Sequence, residues 1–127
     1  MGEPTDLDFD PSGNCHYPKG RLSIGGIEAL PADLIENATI WEGFIPDILR
    51  EMLMLKFAFA FVDIDHYLPT LQALEWLFPR MLPGGMIAAH DYFPGRKMLA
   101  SPAIEEFAET YNLEILGPDK TVAWFQF

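Results

Sequence analysis

Phe57-Ala58-Phe59-Ala60-Phe61-Val62-Asp63-Ile64-Asp65 is the stretch that decides the fold. Six apolar residues in a row, with no turn former among them, read as a β-strand covered by helices on both faces, as in a parallel sheet. On that reading the alternation of Phe57, Phe59 and Phe61 is core packing. The run stops abruptly at two acids. Beyond them Leu71, Leu74, Leu77, Phe78 and Met81 recur at helical spacing, with Pro69 in the opening turn and Pro83-Gly84-Gly85 as the expected stop. Met86-Ile87-Ala88-Ala89 then makes a second buried strand, and it too ends in polar residues, His90 and Asp91.

Upstream, Ile45, Ile48, Leu49, Met52 and Leu53 predict an amphipathic helix with Pro46 near its first turn, and Thr39-Ile40-Trp41 a short strand. Ser23 is a candidate cap for a short helix carrying Ile27, Leu30, Leu34 and Ile35. Residues 1–22 read as an irregular, acidic segment. Downstream, Ser101-Pro102 marks a helix start, with the hydroxyl as cap and Ile104, Phe107, Ala108 and Tyr111 on the buried face. Strands around Leu113–Leu116 and Val122–Phe127, linked by a turn at Gly117-Pro118-Asp119, are expected to form an antiparallel pair. Strands alternating with helices place residues 1–127 in the α/β class as one domain.

The 127 residues leave no room for a second domain of ordinary size. Half of them are hydrophobic and 21% are charged, which is the balance of a globular protein and excludes wholesale disorder. Nineteen acids against eight bases give a net charge of −11, which argues against nucleic acid and anionic membrane as partners. The longest apolar run, Leu53 to Ile64, is interrupted by Lys56 and Asp63 and is too short to span a bilayer. Cys15 stands alone, so no internal disulfide is available, and the start of the chain lacks the features of a signal peptide. A cytoplasmic location is the expectation.

Ligands of open α/β sheets bind beyond the carboxyl ends of the strands. Here two successive strands deliver Asp63, Asp65 and Asp91 to that edge. Carboxylates brought so close repel one another unless a cation or a proton lies between them, so a divalent metal is the simplest resolution. His66 and His90 flank the same edge. If they turn inward, the mixture of imidazole and carboxylate suits Mn, Fe or Zn better than Mg. Asp65 and His66 are the candidates for acid–base work, His66 because its ordinary pKa lies near neutrality.

The block from Phe57 to Thr70, followed by Leu82-Pro83-Gly84-Gly85-Met86-Ile87-Ala88-Ala89-His90-Asp91-Tyr92, resembles class I S-adenosylmethionine-dependent methyltransferases, specifically the macrocin O-methyltransferase family. That family carries Asp-x-Asp-x-Tyr-x-x-Thr after its fourth strand, and Leu-x-Pro-Gly-Gly before and Asp-Asp-Tyr after its fifth. Ala103-Ile104-Glu105-Glu106-Phe107, Glu42-Gly43-Phe44 and Glu3-Pro4-Thr5-Asp6 are similar to further segments of it. The resemblance implies a partial Rossmann-like sheet, mostly parallel with an antiparallel C-terminal strand. It implies S-adenosylmethionine as cofactor, Mg2+ or another divalent metal, and a small-molecule hydroxyl (a sugar or natural product) as methyl acceptor. Asp91 with either Asp63 or Asp65 would hold the metal. The chain departs from the pattern at His90, where the family has Asp, and contains no G-x-G, the turn on which the family builds its cofactor site. The resemblance thus implies a chain that lacks the first two strands of the full sheet. The Phe57–Val62 strand would then have a bare edge, and a homodimer is the expected response.

Overall fold

The computed structural model describes residues 31–41, 43–97, 100–117 and 121–127. The expected irregular segment at residues 1–22, and the helix start at Ser23, lie outside them. The elements are α1 (Ala32–Asn37), a 3-10 helix (Asp47–Met52), β1 (Phe57–Val62), α2 (Tyr67–Leu77), β2 (Met81–His90), α3 (Ser101–Tyr111) and β3 (Val122–Gln126). β1 and β2 pair in parallel across α2, and β3 returns antiparallel on the far side of β2, giving the order β1-β2-β3. This is the α/β class with the parallel pair and antiparallel C-terminal strand that were expected.

Pairing aligns Ala60, Ile87 and Phe125, and then Val62, Ala89 and Ala123, on one face of the sheet. Both long helices pack there. Leu74 of α2, Ile104 and Phe107 of α3, Ile87 and Phe125 are fully enclosed, each such burial contributing about 1.5–3 kcal/mol. Phe107 is the hub, with ring centroids 5.1 Å from Phe125, 5.9 Å from Phe78 and 5.0 Å from Tyr111. α3 closes with Asn112 in the left-handed conformation. The Asn112 N–H turns back to the carbonyl of Glu109, and the N–H of Leu113 to that of Ala108.

The opposite face corrects the reading of β1. Phe59 and Phe61 are 56% and 53% exposed, and Trp124, aligned with Phe61 across Ala88, is 37% exposed. Of the three phenylalanines only Phe57 packs inward, against Trp76 at 5.8 Å between ring centroids. Both helices cover the same side, so among the described residues a continuously apolar strand is covered by helices on one face only. Among the described residues nothing pairs with the outer edge of β1.

Other boundaries moved for local reasons. α2 stops at Leu77 and tightens into a 3-10 turn over Phe78–Arg80, because Pro79 has no N–H to continue an α-helix. Met81 therefore opens β2 instead of closing the helix. Pro83-Gly84-Gly85 lies within β2 as an irregularity in its pairing with β1. A Cβ on Gly85 would sit 2.8 Å from the Leu82 carbonyl oxygen, so only glycine fits there. The Ile45–Leu53 segment is a 3-10 helix and not an amphipathic α-helix; only its Leu49 is buried, and short helices depend on packing. Thr39–Trp41 is not a strand, and among the described residues no strand offers it hydrogen bonds. Leu113–Leu116 makes one antiparallel bridge, Leu116 to Trp124, and β3 takes β2 as its strand partner. Among the described residues no helix is long and apolar enough to cross a membrane.

Candidate functional site

The parallel pairing of Phe61 with Ala88 and of Val62 with Ala89 runs out in step, so β1 and β2 deliver their following residues side by side. Asp63 leaves β1 as His90 ends β2, and Asp91 comes next. The His90 ring nitrogen Nδ1 lies 3.4 Å from Asp63 Oδ1 and 3.2 Å from Asp91 Oδ1. One ligand atom from each of Asp63, His90 and Asp91 falls within 4.8 Å of the others. Two carboxylates and an imidazole at that spacing are a donor set that fits a divalent cation. Asp63 is exposed, while His90 and Asp91 are half-buried.

Asp65 joins this group through Asp91, to whose carboxyl it is hydrogen-bonded. Burial, that bond, and the negative charges of Asp91 and Asp63 push the Asp65 carboxyl up from 3.8 to about 7, against a smaller opposing pull from His90. Two of the three acids that follow the strands hold a left-handed backbone, φ +69° at Asp65 and +57° at Asp91. Aspartate tolerates that region better than most residues, but the surrounding structure must still hold it there.

The raised Asp65 pKa has a stability consequence whose sign is fixed. The folded chain holds this proton more tightly than the unfolded chain does. The resulting stabilisation is complete below about pH 4 and lost as pH rises through about 7. Asp65→Asn keeps the neutral form at every pH. Relative to that variant, the metal-free wild type is expected to lose roughly 1–2 kcal/mol between pH 4 and pH 8, after allowance for solvent screening. Paired urea titrations measure the difference, and parallel curves for the two proteins would contradict it.

His66 is not one of the three residues whose ligand atoms converge. It precedes α2, where its carbonyl accepts the Thr70 N–H, and it is fully enclosed. Ser101 was read as a helix cap, but Ala100 occupies the cap position and makes no side-chain cap bond. The Ser101 hydroxyl instead reaches the backbone of Asp91 and Phe93. The Ser-Pro pair signalled the helix start and gave no hint of this contact. An open, mainly apolar groove of about 440 Å³ runs from Leu49 and Met52 past Phe59 and Phe61 to Asp63, ending at the same edge. Ala60, Ala73, Trp76 and Leu77 also line it, so it follows the edge of β1 that no described strand pairs. Arg96 and Lys97, the adjacent basic pair, are exposed.

A solved structure, described as the O-methyltransferase NovP, is similar to this chain at 24% identity and a TM-score of 0.47. The match covers 54% of this chain and 28% of that one, so it spans less than a third of that protein's length. No curated protein matches. The sequence family described as methyltransferase domain matches residues 8–92, a span that takes in β1, α2, β2 and both acidic strand ends. More than half of the sequence lies within that match, and the chain belongs to the methyltransferase-domain family.

Proposed function

We propose that this chain provides the metal and acceptor side of an S-adenosylmethionine-dependent O-methyltransferase acting on a small-molecule hydroxyl. The observation that supports the reading best is the convergence of Asp63, His90 and Asp91 at the carboxyl ends of two neighbouring parallel strands. Asp63 and Asp91 would each give a carboxylate oxygen and His90 its Nδ1, leaving positions for water and for the acceptor. A divalent cation bound there would supply Lewis acidity, lowering the pKa of the acceptor hydroxyl. Asp65, hydrogen-bonded to Asp91, is placed to take the proton the hydroxyl gives up. With His66 enclosed, this acid–base role falls to Asp65 in our reading. The exposed rings of Phe59 and Phe61 line the approach and suit the apolar body of an acceptor.

Methyltransferases in general draw the methyl group from S-adenosylmethionine. Among the described residues no glycine-rich turn follows a strand, so they do not form a cradle for that cofactor. Calorimetric titration with Mn2+ and with Mg2+, each with and without S-adenosylhomocysteine, tests the reading. One saturable cation site per chain is expected, with Mn2+ the tighter ligand because of His90. A chain that binds neither cation under any of these conditions would sink the proposal.

The edge of β1 that no described strand pairs, with the exposed Phe59 and Phe61, favours a second reading, an assembly module that pairs with another copy of itself. Light scattering on the purified chain is expected to give the mass of a dimer, and Phe59→Lys to return the monomer. A wild-type monomer at high concentration would remove this reading.

A further inference from the structure

The left-handed backbone of Asp91 is an unfavourable conformation that something must hold, and the groups around it show what does. The Ser101 hydroxyl accepts the N–H of Phe93 at 2.8 Å and donates to the carbonyl of Asp91 at 3.2 Å. These two backbone groups lie two residues apart, so a single hydroxyl closes the turn immediately after Asp91. Ser101 is fully buried and is the first residue of α3, an element anchored by the enclosed Ile104 and Phe107. Tyr92, between the two bonded residues, sits in the core and gives its N–H to the Thr121 carbonyl at 3.2 Å. The 91–93 backbone is thus clamped from α3 on one side and from the approach to β3 on the other. A capping role would explain a serine here without reference to the site, but Ala100 is the cap residue and the serine hydroxyl bonds to Phe93 and Asp91.

We infer that Ser101 is a positioning residue for Asp91: its buried hydroxyl locks the 91–93 turn in the conformation that points the Asp91 carboxylate at His90 and Asp63. The inference rests on the proposed cation site, and it extends that site to a residue ten positions away in the sequence. Groups that orient a ligand without touching the metal typically govern about 10–100-fold in metal affinity. Ser101→Ala removes both hydrogen bonds. Ser101→Cys keeps the volume while offering only a weak donor and acceptor, and it covers the case in which the alanine variant folds poorly.

Two readouts decide it, amide hydrogen exchange at Phe93 and Mn2+ affinity by electron paramagnetic resonance, each on wild type and both variants. The expected result is Phe93 exchange faster by about tenfold or more in the variants, together with Mn2+ affinity lower by about 10–100-fold. A purely structural serine would lower the melting temperature and leave Mn2+ affinity where it was, and that result overturns the inference. Unchanged Phe93 exchange in a folded variant overturns it as well. A wild-type chain that binds no Mn2+ overturns the proposed cation site itself, an outcome distinct from equal affinity in wild type and variants.

Discussion

Asp91→Asn is expected to reduce divalent-cation affinity by on the order of 100-fold or more while leaving the fold intact. Asn occupies the same volume and tolerates the left-handed backbone found at this position, φ +57°. What it removes is one negative charge from a group in which Asp63, His90 and Asp91 offer ligand atoms within 4.8 Å of one another. Without metal, the loss of that charge relieves repulsion on Asp63 and Asp65, so the apo variant should melt no lower than wild type. The contrast appears on adding cation. At a hundred times its dissociation constant a ligand stabilises the folded state by about 2.7 kcal/mol. Wild type should show that rise in thermal melting, and Asp91→Asn should show about 0.4 kcal/mol or less at the same concentration. Glu109→Gln, at an exposed position on α3, serves as the control for loss of one acid and should behave as wild type. Equal cation-induced shifts in all three proteins would mean that binding is spread over the acidic surface.

Phe107→Ala is expected to cost about 3–5 kcal/mol. The side chain is fully enclosed, and its ring meets Phe78, Tyr111 and Phe125 with centroid separations of 5.0 to 5.9 Å. Removing it leaves a cavity between α3 and the covered face of the sheet that these neighbours can fill only in part. Domains of this size are stable by roughly 5–15 kcal/mol, so the variant should lie near the edge of folding at 37 °C. Phe107→Leu keeps most of the volume and should cost far less. Urea midpoints for the three proteins measure the series. A loss under 1 kcal/mol for the alanine variant would mean that the aromatic cluster is not the core.

The elements nearest the candidate site were the most legible in the sequence. β1, the acids after it, α2 and the second strand follow from local periodicity and from the abrupt change at Asp63 and at His90. The convergence of those acids follows from one further rule, that parallel neighbours end at the same edge. Face coverage was not legible, because Phe59 and Phe61 carry the same side chain whether or not a helix lies over them. What decides their exposure is that α2 and α3 both pack on the Val62–Ile87–Phe125 side. The same limit explains Thr39–Trp41, whose β-forming residues find no strand to pair with among the described residues. Pro83-Gly84-Gly85 misled in a different way. Its composition signals a break in any element, and the element it interrupts is β2, where Gly85 admits the close approach of the Leu82 and Ala58 carbonyls. Ser101 carries a signal that local rules read as a cap, whereas its hydrogen bonds go to a turn ten residues upstream.

The most direct test of the central claim is a crystal grown with Mn2+ and measured at a wavelength where manganese scatters anomalously. The account predicts one strong anomalous peak at coordination distance from carboxylate oxygens of Asp63 and Asp91 and from Nδ1 of His90, absent in crystals of Asp91→Asn. A well-ordered wild-type site with no peak, or with its manganese elsewhere on the acidic surface, would contradict it.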